Sequence, residues 1–89
     1  MRLDLFLKVS RLVPRRSLAQ EMCEAGAVFL NGAQAKSGHP VRVGDQLRIN
    51  QRGFLTTFRI LALPTGQVSK AIAASLYEIV SKESSEESE

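Results

Sequence analysis

The sequence predicts an α+β fold: two N-terminal helices packed on a small, mostly antiparallel sheet, then a C-terminal helix and a disordered acidic tail. Three observations lead there. Apolar residues recur at helical spacing through about residue 25. From Ala27 the period shortens and glycine-containing turns appear at Asn31-Gly32, Gly44-Asp45 and Arg52-Gly53. A helical stripe then returns at Val68, Ile72, Leu76 and Ile79.

The first helix is expected over about residues 2–10. Leu3, Phe6 and Leu7 fall at i, i+3 and i+4 and mark one apolar face, while Arg2, Asp4, Lys8 and Arg11 stay on the polar side or its edge. Pro14 disfavours helical backbone at the residue before it, so this helix ends earlier. Ser17 and Gln20 form a capping-box pattern for a second helix, which carries Leu18, Met22 and Ala25 in a stripe and stops at Gly26. Proline is also tolerated in the first turn, so a start at Pro14 is allowed.

Ala27 to Leu30 is a short apolar run followed by Asn-Gly, the pair best suited to the two positive φ angles of a type I′ hairpin. Ala33 to Lys36 is the expected return strand. Leu47 and Ile49 alternate with Arg48, and Phe54 to Leu61 follows as a strand with Thr56 and Thr57 adding β-propensity. Ser69 is placed to cap the last helix, whose Ala71, Ala73 and Ala74 favour helix. The expected organisation is one domain over residues 1–80 and a tail over 81–89, where KESSEESE has nothing apolar to bury.

Composition narrows the function classes. Hydrophobic residues make up 44% and there is no Trp, so the core must be mainly aliphatic. Cys23 is the single cysteine and His39 the single histidine, which excludes an internal disulfide and a four-ligand Cys/His zinc site. No apolar run approaches a membrane span, and MRLDLFLKVSR does not read as a signal peptide. The expected setting is the cytoplasm, with no membrane partner. Glycine-rich phosphate loops, nucleophile elbows and metal-ligand spacings are all lacking, so no enzyme and no cofactor are expected. Cys23 reads as a core residue and His39 as a loop residue.

Charge is distributed unevenly. Residues 1–70 carry 11 Lys and Arg against four Asp and Glu; residues 71–89 carry one against five. A basic body with an acidic end attracts polyanions. The cations concentrate early: Arg2, Lys8, Arg11, Arg15 and Arg16 lie on two helices and the joint between them. Cations beside the free N–H groups of a helix start suit phosphate.

These residues carry a resemblance. The run MRLDLFLKVSRLVPRRSLAQEMCEAGAVFLNGAQAK, followed by VRVGDQLRI, resembles the RNA-binding domain named after ribosomal small-subunit protein S-four, also called the αL motif. The matching features are Arg2-Leu3-Asp4, Ser10-Arg11-Leu12, Arg16-Ser17 with Ala19, Gly26, Val28, Asn31-Gly32, Lys36 and Val43-Gly44-Asp45. They cover about residues 1–50. The MRLD start, LKVSRL, the paired arginines before Ser17, the total length and a terminal helix with a Tyr are similar to the bacterial RqcP (YabO) family. Leu5 and Pro14 depart from the pattern.

The resemblance implies a non-catalytic protein of the large ribosomal subunit in ribosome-associated quality control. It would contact rRNA and tRNA, stabilise peptidyl-tRNA, and support alanine tailing of stalled chains beside an RqcH-type tailing factor. RNA-binding residues carried over are Arg2, Lys8, Arg11, Arg15, Arg16 and Lys36. Asp4 is expected to orient an arginine, with Asn31 and Gly32 shaping one wall of the groove. A monomer is expected. Two rivals remain at this point: a heat-shock-type large-subunit rescue factor of the same domain family, and a protein–protein adaptor.

Overall fold

A computed structural model describes residues 1–84. The order of elements is α1 (Leu3–Val9), α2 (Arg16–Glu24), β1 (Val28–Leu30), β2 (Ala33–Gln34), β3 (Gln46–Gln51), β4 (Phe54–Ile60), α3 (Lys70–Ala74) and β5 (Tyr77–Ser84). The strands form one antiparallel sheet in the order β2-β1-β3-β4-β5.

Local chemistry sets the boundaries of the two N-terminal helices. α1 stops at Ser10 because Arg11 turns left-handed, at φ 64°. That conformation costs a non-glycine residue about 1 kcal/mol. Leu3 and Asp4 give their orphan N–H groups to the carbonyls of His39 and Ser37, so the loop before Pro40 caps this helix. α2 ends in a Schellman motif: Ala27 N–H donates to Met22 O and Gly26 N–H to Cys23 O, with Gly26 at φ 77°. A β-carbon on Gly26 would also collide with the Gln34 amide. The expected capping box does not form. Arg15 is the N-cap, no side chain caps it, and Ser17 lies inside the first turn.

The Asn31-Gly32 hairpin is as expected, with φ of 52° and 87° and Leu30 paired to Ala33. Its return strand is only two residues long, so Lys36 lies in the following loop. One buried cluster fills the space between the helices and the sheet. Leu3, Phe6 and Leu7 of α1 and Ala19 and Met22 of α2 meet Val28, Leu30, Leu47, Ile49, Phe58 and Ile60 of the sheet there.

The C-terminal region corrects the sequence reading. Only Lys70–Ala74 is helical, capped by the Ser69 hydroxyl, which accepts from Ile72 N–H at 3.2 Å. Leu76 is buried as expected, but from the connection after the helix, where its carbonyl accepts from Leu61 N–H at 2.8 Å. Tyr77 and Ile79 then stand on a strand, not on a helix. The competing demand is the open edge of β4, whose N–H and C=O groups need partners. Tyr77-Glu78-Ile79-Val80 is short, aromatic or β-branched at Tyr77, Ile79 and Val80, and close enough to pair there. The pairing continues through Phe54↔Ser84, so four residues assigned to the tail belong to the sheet. The remaining tail, 85–89, lies outside the described residues.

Candidate nucleic-acid interface

The basic residues organise around a carboxylate that the sequence placed on the polar side of α1. Asp4 is instead fully buried, although it shares a seven-residue helix with Leu3, Phe6 and Leu7. Its oxygens are held from three directions. Arg2 donates from Nε to Oδ1 at 3.2 Å and from Nη2 to Oδ2 at 3.1 Å. Gln20 Nε2 donates to Oδ2 at 2.8 Å, and Arg16 Nε lies 3.4 Å from the same oxygen. Burial alone would raise the Asp4 pKa, but the hydrogen bonds from Gln20, Arg2 and Arg16 outweigh it and hold the pKa at about 2. The carboxylate is therefore ionised at neutral pH.

This arrangement fixes two guanidinium groups without enclosing them. The side chains of Arg2 and Arg16 remain 52% and 42% exposed while one edge of each is anchored. A guanidinium held by one edge keeps its other N–H groups for an incoming acceptor, and its planar fork matches phosphate oxygens. Asp4 thus orients two arginines. Gln20, which sequence reasoning treated only as a cap partner, completes the anchor. It sits one helical turn after Arg16, a spacing that places both on one face.

The other expected cations lie elsewhere on the surface. Lys8 and Arg11 line an open groove of about 490 Å³ with Val13, Pro14, Gln67 and Val68. Arg15 is exposed at the N-cap of α2. Lys36 lines a second groove with Cys23, Glu24 and Gln34. Among the described residues, none of Lys8, Arg11, Arg15 and Lys36 pairs with a carboxylate within 4.0 Å. Asn31 and Gly32 line neither groove. The Asn31 amide ties the hairpin turn to the next one, donating to Asp45 Oδ1 at 3.1 Å and accepting from Gln46 N–H at 2.9 Å. Nothing in the sequence marked Gln67, and Val68 was expected in the last helical stripe; both reach their groove through the irregular connection after β4.

The two reactive-looking side chains are accounted for locally. Cys23 is buried, and burial first, then the Asp4 charge, raises its thiol pKa, so the thiol stays protonated. His39 is exposed in the loop that caps α1, its Nδ1 2.8 Å from Pro40 O. No helix among the described residues is long and apolar enough to cross a membrane.

Comparison with known proteins identifies the family and agrees with the fold. The S4 domain family model matches residues 1–47, which contain α1, α2, the hairpin and the start of β3. A protein of Halalkalibacterium halodurans called RQC P-site tRNA stabilizing factor is 46% identical over 89 residues, covering 100% of both chains. The Bacillus subtilis protein of the same name is 42% identical, covering 93% of this chain and 95% of its own. Among solved structures, the trimeric Vibrio cholerae heat shock protein 15 superposes with a TM-score of 0.84 at 32% identity, covering 90% of this chain and 81% of that one. With its first 47 residues matching the S4 domain and its whole length matching these relatives, the chain belongs to the S4-domain family of RQC P-site tRNA stabilizing factors.

Proposed function

We propose that this protein stabilises P-site tRNA on the large ribosomal subunit during ribosome-associated quality control, by binding RNA and without catalysis. The observation that carries the reading is the Asp4 anchor, which presents Arg2 and Arg16 half-exposed and fixed in orientation within the S4-matched residues. Positioned forks recognise the shape of a phosphate backbone rather than a base sequence, as suits structured RNA. Lys8, Arg11, Arg15 and Lys36 add unpaired positive charge that raises affinity and speeds encounter. In this reading the protein works in the cytoplasm as a monomer, supports alanine tailing beside an RqcH-type factor, and needs no cofactor. Likeness to heat shock protein 15 supports a large-subunit rescue role as the second reading, but at lower identity than the full-length relatives.

The test compares two arginines. Arg16 and Arg59 each have one carboxylate neighbour, Asp4 at 3.4 Å and Glu78 at 3.5 Å, and similar side-chain exposure, 42% and 45%. If net charge alone drives binding, Arg16→Ala and Arg59→Ala weaken it equally. If the anchored forks do, Arg16→Ala costs about 1–3 kcal/mol more, as for a hydrogen bond to a charged group. Cosedimentation with large subunits carrying P-site tRNA measures this, with circular dichroism confirming both folds. Equal losses, or no binding of the wild type to the subunit, would overturn the proposal.

A further inference from the structure

We infer that the groove between the end of α1 and residues 67–68 receives a single unstacked nucleotide of the bound RNA. This rests on the RNA-binding reading and adds a ligand class to it.

The groove has two unlike walls. Val9, Pro14 and Val68 give an apolar surface on which a base can lie flat. Lys8 and Arg11, both exposed and without a carboxylate partner among the described residues, line the same space and suit the attached phosphate. Gln67 adds an exposed amide that can both donate to and accept from a base edge. At about 490 Å³ the space falls within the range of small-ligand sites, which hold one nucleotide and not a helix.

Backbone geometry supports a built site. Arg11 adopts a left-handed φ of 64° immediately after α1, and its guanidinium donates to Val68 O at 3.5 Å. That contact joins the helix corner to a segment 57 residues away in sequence. A strained non-glycine residue that bridges two walls of a groove is the kind of outlier found at ligand sites. A base inside a duplex is stacked on both faces and cannot enter, whereas a bulged or extruded base can lie on apolar side chains or a guanidinium plane. Gln67 and Val68 fall outside the S4-matched residues 1–47, so that side of the groove lies beyond the matched segment, whereas Pro14 lies within it.

The experiment uses two RNA hairpins with the same stem, one fully paired and one carrying a single bulged 2-aminopurine. Binding is read by anisotropy of an end label and by 2-aminopurine emission. The wild type is expected to bind the bulged hairpin about tenfold tighter, within the range stacking of one base supplies, and to change its emission. Gln67→Glu, which removes the amide donor from the base edge and adds a negative charge there, and Val68→Ala, which trims the wall, should each bring the ratio between hairpins close to one, while both proteins still bind the paired hairpin. Equal wild-type affinity for the two hairpins, or a preference that survives both variants, overturns the nucleotide site while leaving RNA binding intact. Failure of the wild type to bind either hairpin overturns the RNA-binding reading itself, and the site with it.

Discussion

Replacing Asp4 with asparagine tests the anchor most directly. The side chain keeps its shape, but one carboxylate oxygen becomes an NH₂ group. Both oxygens receive donors in the native protein, from Arg2 at 3.1 and 3.2 Å and from Gln20 at 2.8 Å, so either amide orientation sets donor against donor in a buried site. The magnitude follows from two parts. The native pKa of about 2, against 3.8 for an ordinary aspartate, corresponds to roughly 2 kcal/mol of stability at neutral pH. An unsatisfied buried donor adds about 1–3 kcal/mol. We therefore expect Asp4→Asn to lose about 3–5 kcal/mol at pH 7, a large share of the 5–15 kcal/mol typical of small domains. With a urea m-value of about 1 kcal/mol/M for this size, the unfolding midpoint falls by about 3–5 M.

The same argument predicts a pH signature. A carboxylate whose pKa is depressed by folding stabilises the native state above its unfolded pKa. That contribution fades as pH falls from 3.8 towards about 2. The wild type should lose this stability on acidification, whereas the asparagine variant has no such group to titrate. The gap between them should narrow to about 1–3 kcal/mol near pH 2, by subtraction of the ionised contribution. Urea titrations of both proteins at several pH values measure it. A gap that stays constant between pH 5 and pH 2.5, or one under about 1 kcal/mol at pH 7, would refute the linkage reasoning.

Other outcomes follow from the remaining contacts. If five or six phosphates are engaged, log Kd against log salt should have a slope of magnitude about 4–5, measurable on structured RNA; a slope near zero would remove the cations as the source of affinity. Leu76 is 3% exposed, so Leu76→Ala should cost about 2–5 kcal/mol in chemical denaturation. Ending the chain at Val80 removes the pairs Thr57↔Ser81, Thr56↔Lys82, Leu55↔Glu83 and Phe54↔Ser84 and should lower stability by about 1–3 kcal/mol, whereas the sequence alone implied no cost. A melting temperature unchanged by that truncation would show that the end of β5 contributes nothing.

The sequence was most legible where local chemistry decides. Asn31-Gly32 can hardly be anything but a tight hairpin, and Gly26 ends α2 because its φ of 77° suits glycine. The burial of Leu3, Phe6 and Leu7 follows from their spacing alone. Legibility failed where a distant partner decides. Val68, Ile72, Leu76 and Ile79 read as one helical stripe because the open edge of β4 is invisible in the sequence. Asp4 was expected on the polar side of the first helix, orienting an arginine; its full burial was not legible because its partners include Arg16 and Gln20, 12 and 16 positions away. Five of the six cations were identified as one cluster by proximity in sequence, and Lys36 was added by the resemblance. Folding divides them between an anchored pair, two grooves and, for Arg15, the exposed N-cap of α2, since a seven-residue helix presents its two ends to different neighbours.

The meeting of Phe58 and Tyr77 across β4 and β5, with ring centres 5.4 Å apart and planes at 89°, has a spectroscopic consequence. The chain contains one Tyr and no Trp. Tyrosine emission therefore comes from a single residue, located at the seam where the last strand joins the sheet. Far-ultraviolet dichroism instead averages over the whole backbone. Following denaturation with both signals distinguishes loss of the last strand from global unfolding without any added label, because coincident curves are expected only when the seam and the rest of the domain open together.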